Sequence, residues 1–187
     1  MTVIQIDGPR QEPATGDRPE QLVILVHGYG ADGNDLIGLA PYFARVLPNA
    51  AFVAPNGPEQ CGMSAFGYQW FPINQFDPAS RLAGVQSAAP VLDQFIDKEL
   101  ERHGLEEDKL LLIGFSQGTM MSLHVALRRP RQVAGILGYS GILAGLELLP
   151  DEAISKPPIQ LIHGDMDEML PVANLHEAVS ALGAAGF

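Results

Sequence analysis

The chain has a single cysteine, Cys61, and a single tryptophan, Trp70, in 187 residues. One thiol excludes a disulfide framework and any C-x-x-C metal spacing, so a reducing compartment, the cytoplasm, is expected. Basic residues are also scarce: 11 Lys+Arg against 22 Asp+Glu leave a formal net charge of -11. That charge repels phosphate backbones and anionic lipid surfaces, which argues against nucleic acid as a partner. Long apolar runs are missing too. The longest uncharged, mainly apolar stretch, Val133 to Leu146, contains four glycines and falls short of the roughly 18 to 20 residues a membrane span needs, so no stable membrane insertion is expected. Met1 to Arg10 lacks a basic region followed by an apolar core, and no secretory signal is read there.

What is present is ample core material, 47% hydrophobic against 18% charged, in a chain whose length suits one domain spanning residues 1–187. Val3 to Ile6 reads as a first strand, then a polar connection with three prolines, then the buried strand QLVILVH. Unbroken apolar runs of this kind typify parallel sheets. Asp32 or Asn34 is placed to cap a helix over Leu36 to Leu47, before a short strand AFVAP. Asn56 to Ser80 is irregular and aromatic, with Phe66, Tyr68, Trp70, Phe71 and Phe76, and suggests an ordered loop that lines a ligand cleft; Trp70 is a candidate for the substrate pocket. Val85 to Arg102 has helical periodicity interrupted by Pro90. KLLLIGF, VAGILGYS and PIQLIHG read as further strands, Gln117 to Arg129 and Pro171 or Val172 to Leu182 as helices, and GAAGF as the opening of another strand. Strands alternating with helices predict an α/β fold, a mostly parallel sheet with helices on both faces and sites at the carboxyl ends of its strands.

Gly114-Phe115-Ser116-Gln117-Gly118 matches G-x-S-x-G at a strand-to-helix turn, where a nucleophile elbow requires it. The tight turn needs small flanking residues, exposes the serine hydroxyl and aims the amino end of the next helix at it. The Gln117 backbone N-H is then one oxyanion donor, and the loop His27-Gly28-Tyr29-Gly30 offers a second, assigned to the Tyr29 N-H. Asp165 and Asp167 follow the strand PIQLIH, where the acid of a Ser, Asp, His order belongs.

HGYGADGND, APNGPE, QWF, GFSQGT and HGDMDEMLP, in this order and over nearly the whole chain, resemble the bacterial phospholipase/carboxylesterase and acyl-protein thioesterase family of α/β-hydrolases. The resemblance implies Ser116 as nucleophile, Asp167 as the acid with Asp165 structural, an acyl groove near residues 56–80, and a small-molecule acyl ester, lysophospholipid or acyl thioester as substrate, with no cofactor. Thr119 departs from the pattern, which commonly has a smaller residue there. A second departure is larger: the family's histidine follows the acid by about thirty or more residues, and twenty follow Asp167 here.

Of five histidines, His27, His103, His124 and His163 precede Asp167, and His176 falls within a helix. The general base is therefore expected beyond Phe187, together with a last strand and helix, so that these residues alone lack it. Two rival readings follow. Gly28 to Gly33 matches the G-x-G-x-x-G of dinucleotide-binding folds, but no Asp or Glu stands between Asp35 and Glu59 to hold a ribose. The stronger rival is a non-catalytic acyl-binding or scaffold protein.

Overall fold

The computed structural model describes residues 4–62, 66–73 and 77–187. Their main sheet has six strands: β1 (Arg10–Gln11), β2 (Gln21–Val26), β3 (Ala50–Val53), β6 (Leu110–Phe115), β7 (Gly135–Tyr139) and β8 (Ile159–Ile162). Their spatial order is β1-β3-β2-β6-β7-β8. β1 is antiparallel to β3 and every other pairing is parallel. The two remaining strands, β4 (Glu59–Gln60) and β5 (Tyr68–Gln69), form a separate antiparallel ribbon.

Side chains alternate across the sheet. On one face Leu22, Ile24, Val26 and Leu112 join the core cluster with helices α3 (Pro78–His103) and α4 (Gln117–Arg128). On the other, Val23, Leu25, Phe52 and Ile113 pack against α1 (Gly33–Ile37) and α2 (Ala40–Phe43). The remaining α-helices among the described residues are α5 (Leu149–Glu152) and α6 (Ala173–Ala184). No helix of the described residues is long and apolar enough to cross a membrane.

Several boundaries differ from the sequence reading. Ile4 to Ile6 form no strand, and Val3 lies outside the described residues. The edge strand is β1, inside the connection that reads as polar. Pairing with β3 and an Arg10–Glu99 ion pair hold it, with Arg10 Nε 3.0 Å from Glu99 Oε2, and neither leaves a mark on local periodicity. The helix expected over Leu36 to Leu47 is two short helices, since Pro41 lacks the N-H that would bond the Ile37 carbonyl. Asp32 does cap the first, accepting the Asp35 N-H at 2.9 Å.

α3 starts seven residues before Val85, with Asp77 as N-cap and Pro78 in the first turn, and it runs through Pro90. Pro90 and Gln86 are exposed, so water can take the carbonyl that proline leaves unpaired. GAAGF opens no strand. Gly183 and Ala184 complete α6, and the Phe187 N-H bonds back to the Leu182 carbonyl at 3.1 Å, so the segment satisfies its amides as a helix end.

Candidate active site

Ser116 stands where β6 turns into α4, with φ 52° and ψ -113°. A non-glycine residue adopts this backbone only when its surroundings impose it. Here glycines impose it. A Cβ on Gly118 would lie 1.9 Å from the Val26 carbonyl oxygen, and one on Gly114 would lie 2.6 Å from the Gly118 carbonyl. Helix and strand therefore approach as closely as backbone allows, and the Ser116 N-H is drawn across to the Tyr139 carbonyl at 2.8 Å. Ser116 is half-buried at the carboxyl edge of the sheet.

The loop after β2 closes on the same point. A Cβ on Gly28 would meet Ser116 Cβ at 3.3 Å, so the Gly28–Tyr29 peptide runs beside the serine. Gly30, with φ 80°, turns the loop away, and its N-H bonds the Tyr68 carbonyl at 2.9 Å. The Tyr29 and Gln117 backbone N-H groups have no partner among the described residues. Two unpaired amides flanking one hydroxyl make an arrangement suited to a developing oxyanion.

His27 underpins this loop. Its Nδ1 lies 2.7 Å from the Gly28 carbonyl and its Nε2 accepts the Gly57 N-H at 2.8 Å, which fixes the proton on Nδ1. Burial holds its pKa below the ordinary value, so the ring is neutral.

Trp70, expected beside a ligand cleft, is 1% exposed and lies against His27, the ring centroids 5.7 Å apart and the planes tilted by 36°. Its indole N-H donates to the His27 carbonyl at 3.1 Å. Trp70 thus supports the loop from below and offers no surface to a ligand. The Gln117 side chain holds the aromatic segment from the other side: Oε1 accepts the Trp70 N-H at 2.9 Å and Nε2 donates to the Phe71 carbonyl at 2.8 Å. Phe76 lies outside the described residues. Cys61 is buried and its thiol meets the Tyr29 phenol, raising the phenol's pKa.

Asp167 sits in the loop after β8. Its Oδ1 accepts the Leu170 N-H at 2.8 Å and the Met169 N-H at 3.0 Å. The Leu170 hydrogen bond leads the influences that hold this carboxyl below its ordinary range, so it is ionised at neutral pH. Asp165 is exposed.

His163 Nε2 lies 2.6 Å from the Leu170 carbonyl and 3.4 Å from Asp167 Oδ2. A carbonyl only accepts, so Nε2 carries the proton and ties the loop shut. His124 is buried on α4, His103 adjoins Glu99 at the end of α3, and His176 is exposed on α6. Among the described residues no histidine is hydrogen-bonded to Ser116. None of their His, Cys, Asp and Glu side chains cluster in a group able to hold a metal ion.

A parallel sheet carrying a glycine-clamped serine between strand and helix, with the helices on both faces, defines an α/β-hydrolase fold. The likeness to solved structures agrees. The crystal structure of esterase PE8 superposes with a TM-score of 0.94 at 41% identity, covering 98% of this chain and 86% of that one. Esterase YpfH of Escherichia coli is 31% identical over 171 residues, 91% of this chain and 72% of the relative. Acyl-protein thioesterase 1 of Saccharomyces cerevisiae is 29% identical over 165 residues, 81% and 72% of the two chains. The phospholipase/carboxylesterase family model matches residues 13–186, and the chain belongs to that family of hydrolases.

Proposed function

We propose that this protein hydrolyses carboxylic esters, lysophospholipids or acyl thioesters through an acyl-serine intermediate. Ser116 attacks the acyl carbon, the Tyr29 and Gln117 amides hold the oxyanion, and Asp167 orients the histidine that takes the serine's proton. The observation that carries this reading is the strained φ of 52° at Ser116, beside the two unpaired amides. Such strain is concentrated at functional sites because ordinary turns have no need of it.

Each of the five histidines is committed elsewhere or set on the wrong element, as His176 is on the exposed side of α6. In this reading the base belongs to chain beyond Phe187. Membership of the family and likeness to an esterase and to acyl-protein thioesterases support the substrate class.

The test is hydrolysis of a short-chain p-nitrophenyl ester by the 187-residue chain and by the same chain extended through its natural coding sequence, each beside Ser116→Ala. Turnover by the extended chain alone, lost with Ser116→Ala, is the expected result. Turnover by the 187 residues that Ser116→Ala abolishes would place a base among them and remove that part of the reading. No turnover by either, with acyl ligands still bound, would favour a non-catalytic acyl-binding protein.

A further inference from the structure

Thr119, one residue past the glycine that closes the elbow, is 1% exposed. It fills a recess left by two glycines at the end of β7. A Cβ on Gly138 would lie 2.6 Å from its Cγ2, and one on Gly141 would lie 2.3 Å from its Cβ. Inside a helix, a threonine hydroxyl has a ready acceptor in the carbonyl three or four residues back. The Thr119 hydroxyl donates instead to the Tyr139 carbonyl, 20 positions on, at 2.9 Å.

That carbonyl also accepts the Ser116 N-H at 2.8 Å, and the N-H of the same peptide, that of Ser140, donates to the Ile162 carbonyl at 2.8 Å. One peptide group thus carries the elbow on its oxygen and the end of β8 on its nitrogen. Both residues that depend on it are strained, with φ 52° at Ser116 and 45° at Ser140. Turning the 139–140 peptide would relieve Ser140, and losing its carbonyl would free the 115–116 peptide to turn and relieve Ser116. The backbone opposes this with the Ser116 N-H. Among the described residues the Thr119 hydroxyl is the second donor to that carbonyl, and it comes from the first turn of α4.

We infer that Thr119 is a positioning residue: its hydroxyl holds the Tyr139 carbonyl toward the Ser116 N-H and so keeps the serine in the strained conformation of the elbow. The inference rests on the esterase reading above for its consequence in catalysis, but the hold on the Ser116 amide is tested without turnover. Thr119→Val keeps the branched shape, removes the donor and sets a methyl against the carbonyl oxygen. Thr119→Ser keeps the donor and loses the methyl. The pair separates the hydroxyl from the packing.

The first readout is hydrogen exchange of the Ser116 amide in the 187-residue chain, followed by NMR and divided by the rate at Leu112 in the middle of β6, so that changes in global stability cancel. Thr119→Val is expected to raise this ratio roughly tenfold, the net worth of one neutral hydrogen bond, and Thr119→Ser to leave it near the parent's. An unmoved ratio in Thr119→Val, or an equal rise in both variants, would overturn the proposal. Thr119→Ala is read by the same criterion if Thr119→Val does not accumulate as folded protein. In an extended chain that shows Ser116-dependent hydrolysis, Thr119→Val should also lower kcat roughly tenfold with KM unchanged, as expected for lost orientation. An unmoved kcat there would overturn the positioning role. A raised exchange ratio without any Ser116-dependent hydrolysis by the extended parent would count against the esterase reading and leave the hold by Thr119 standing.

Discussion

The side chain of Gln117 is bonded at both ends to the segment that begins at Trp70: it accepts the Trp70 N-H and donates to the Phe71 carbonyl. The residue whose backbone amide stays unpaired beside Ser116 thereby also fixes the buried floor on which the loop of His27 rests. Gln117 is 1% exposed, so no water can replace either bond. Gln117→Ala should cost about 2 to 5 kcal/mol, two buried backbone groups being left unpaired. Urea unfolding of the variant beside the parent measures it.

The elbow glycines make a sharper contrast. Gly118→Ala would put a methyl 1.9 Å from the Val26 carbonyl oxygen, backbone against backbone, and nothing nearby can yield. The variant is expected not to accumulate as folded protein. Gly183→Ala, in α6 with nothing within 4 Å of the added Cβ, should instead stabilise by roughly 0.5 to 1 kcal/mol. Thermal unfolding of the pair beside the parent checks both signs.

The two aspartates after β8 should separate cleanly. Asp167 holds two amides, whereas Asp165 is exposed. In a chain showing Ser116-dependent hydrolysis, Asp167→Asn is expected to lower kcat by about 10⁴-fold. Asp165→Asn should leave kcat near the parent's. Equal losses from the two substitutions would contradict the assignment of the acid.

His124 should give the fold an acid-sensitive contribution. Burial first, and then the charge of Arg128, push its pKa down to about 4, against Glu152, which acts the other way. Between that value and the ordinary 6.5 the unfolded chain binds a proton that the folded chain refuses, so stability falls as pH drops through this window. Among the described residues Nδ1 of His124 has no hydrogen-bond partner, so His124→Leu loses no bond there. Melting temperatures of parent and His124→Leu at pH 7 and pH 5 should show the smaller decline in the variant, the carboxylates common to both cancelling in the comparison.

The parts legible in the sequence were those written in local pattern. QLVILVH and KLLLIGF announce buried strands because both faces of a parallel sheet are covered, and G-x-S-x-G announces its turn because only small residues fit beside Val26. Parts that depend on distant partners left no such trace. β1 is two polar residues whose strand character comes from β3 and Glu99. Trp70 reads as a cleft aromatic until His27 and Gln117 are seen to enclose it.

The residues around Ser116 come from the carboxyl ends of β2, β6 and β7, and no two of these strands adjoin in sequence without a crossover. No short stretch of the chain therefore contains a rudimentary version of the site. Closing such long loops precedes any reward from the contacts they make, which slows folding. The serine's environment should consequently mature among the last events of refolding, and a reagent that recognises it would serve as a clock for completion of the whole sheet.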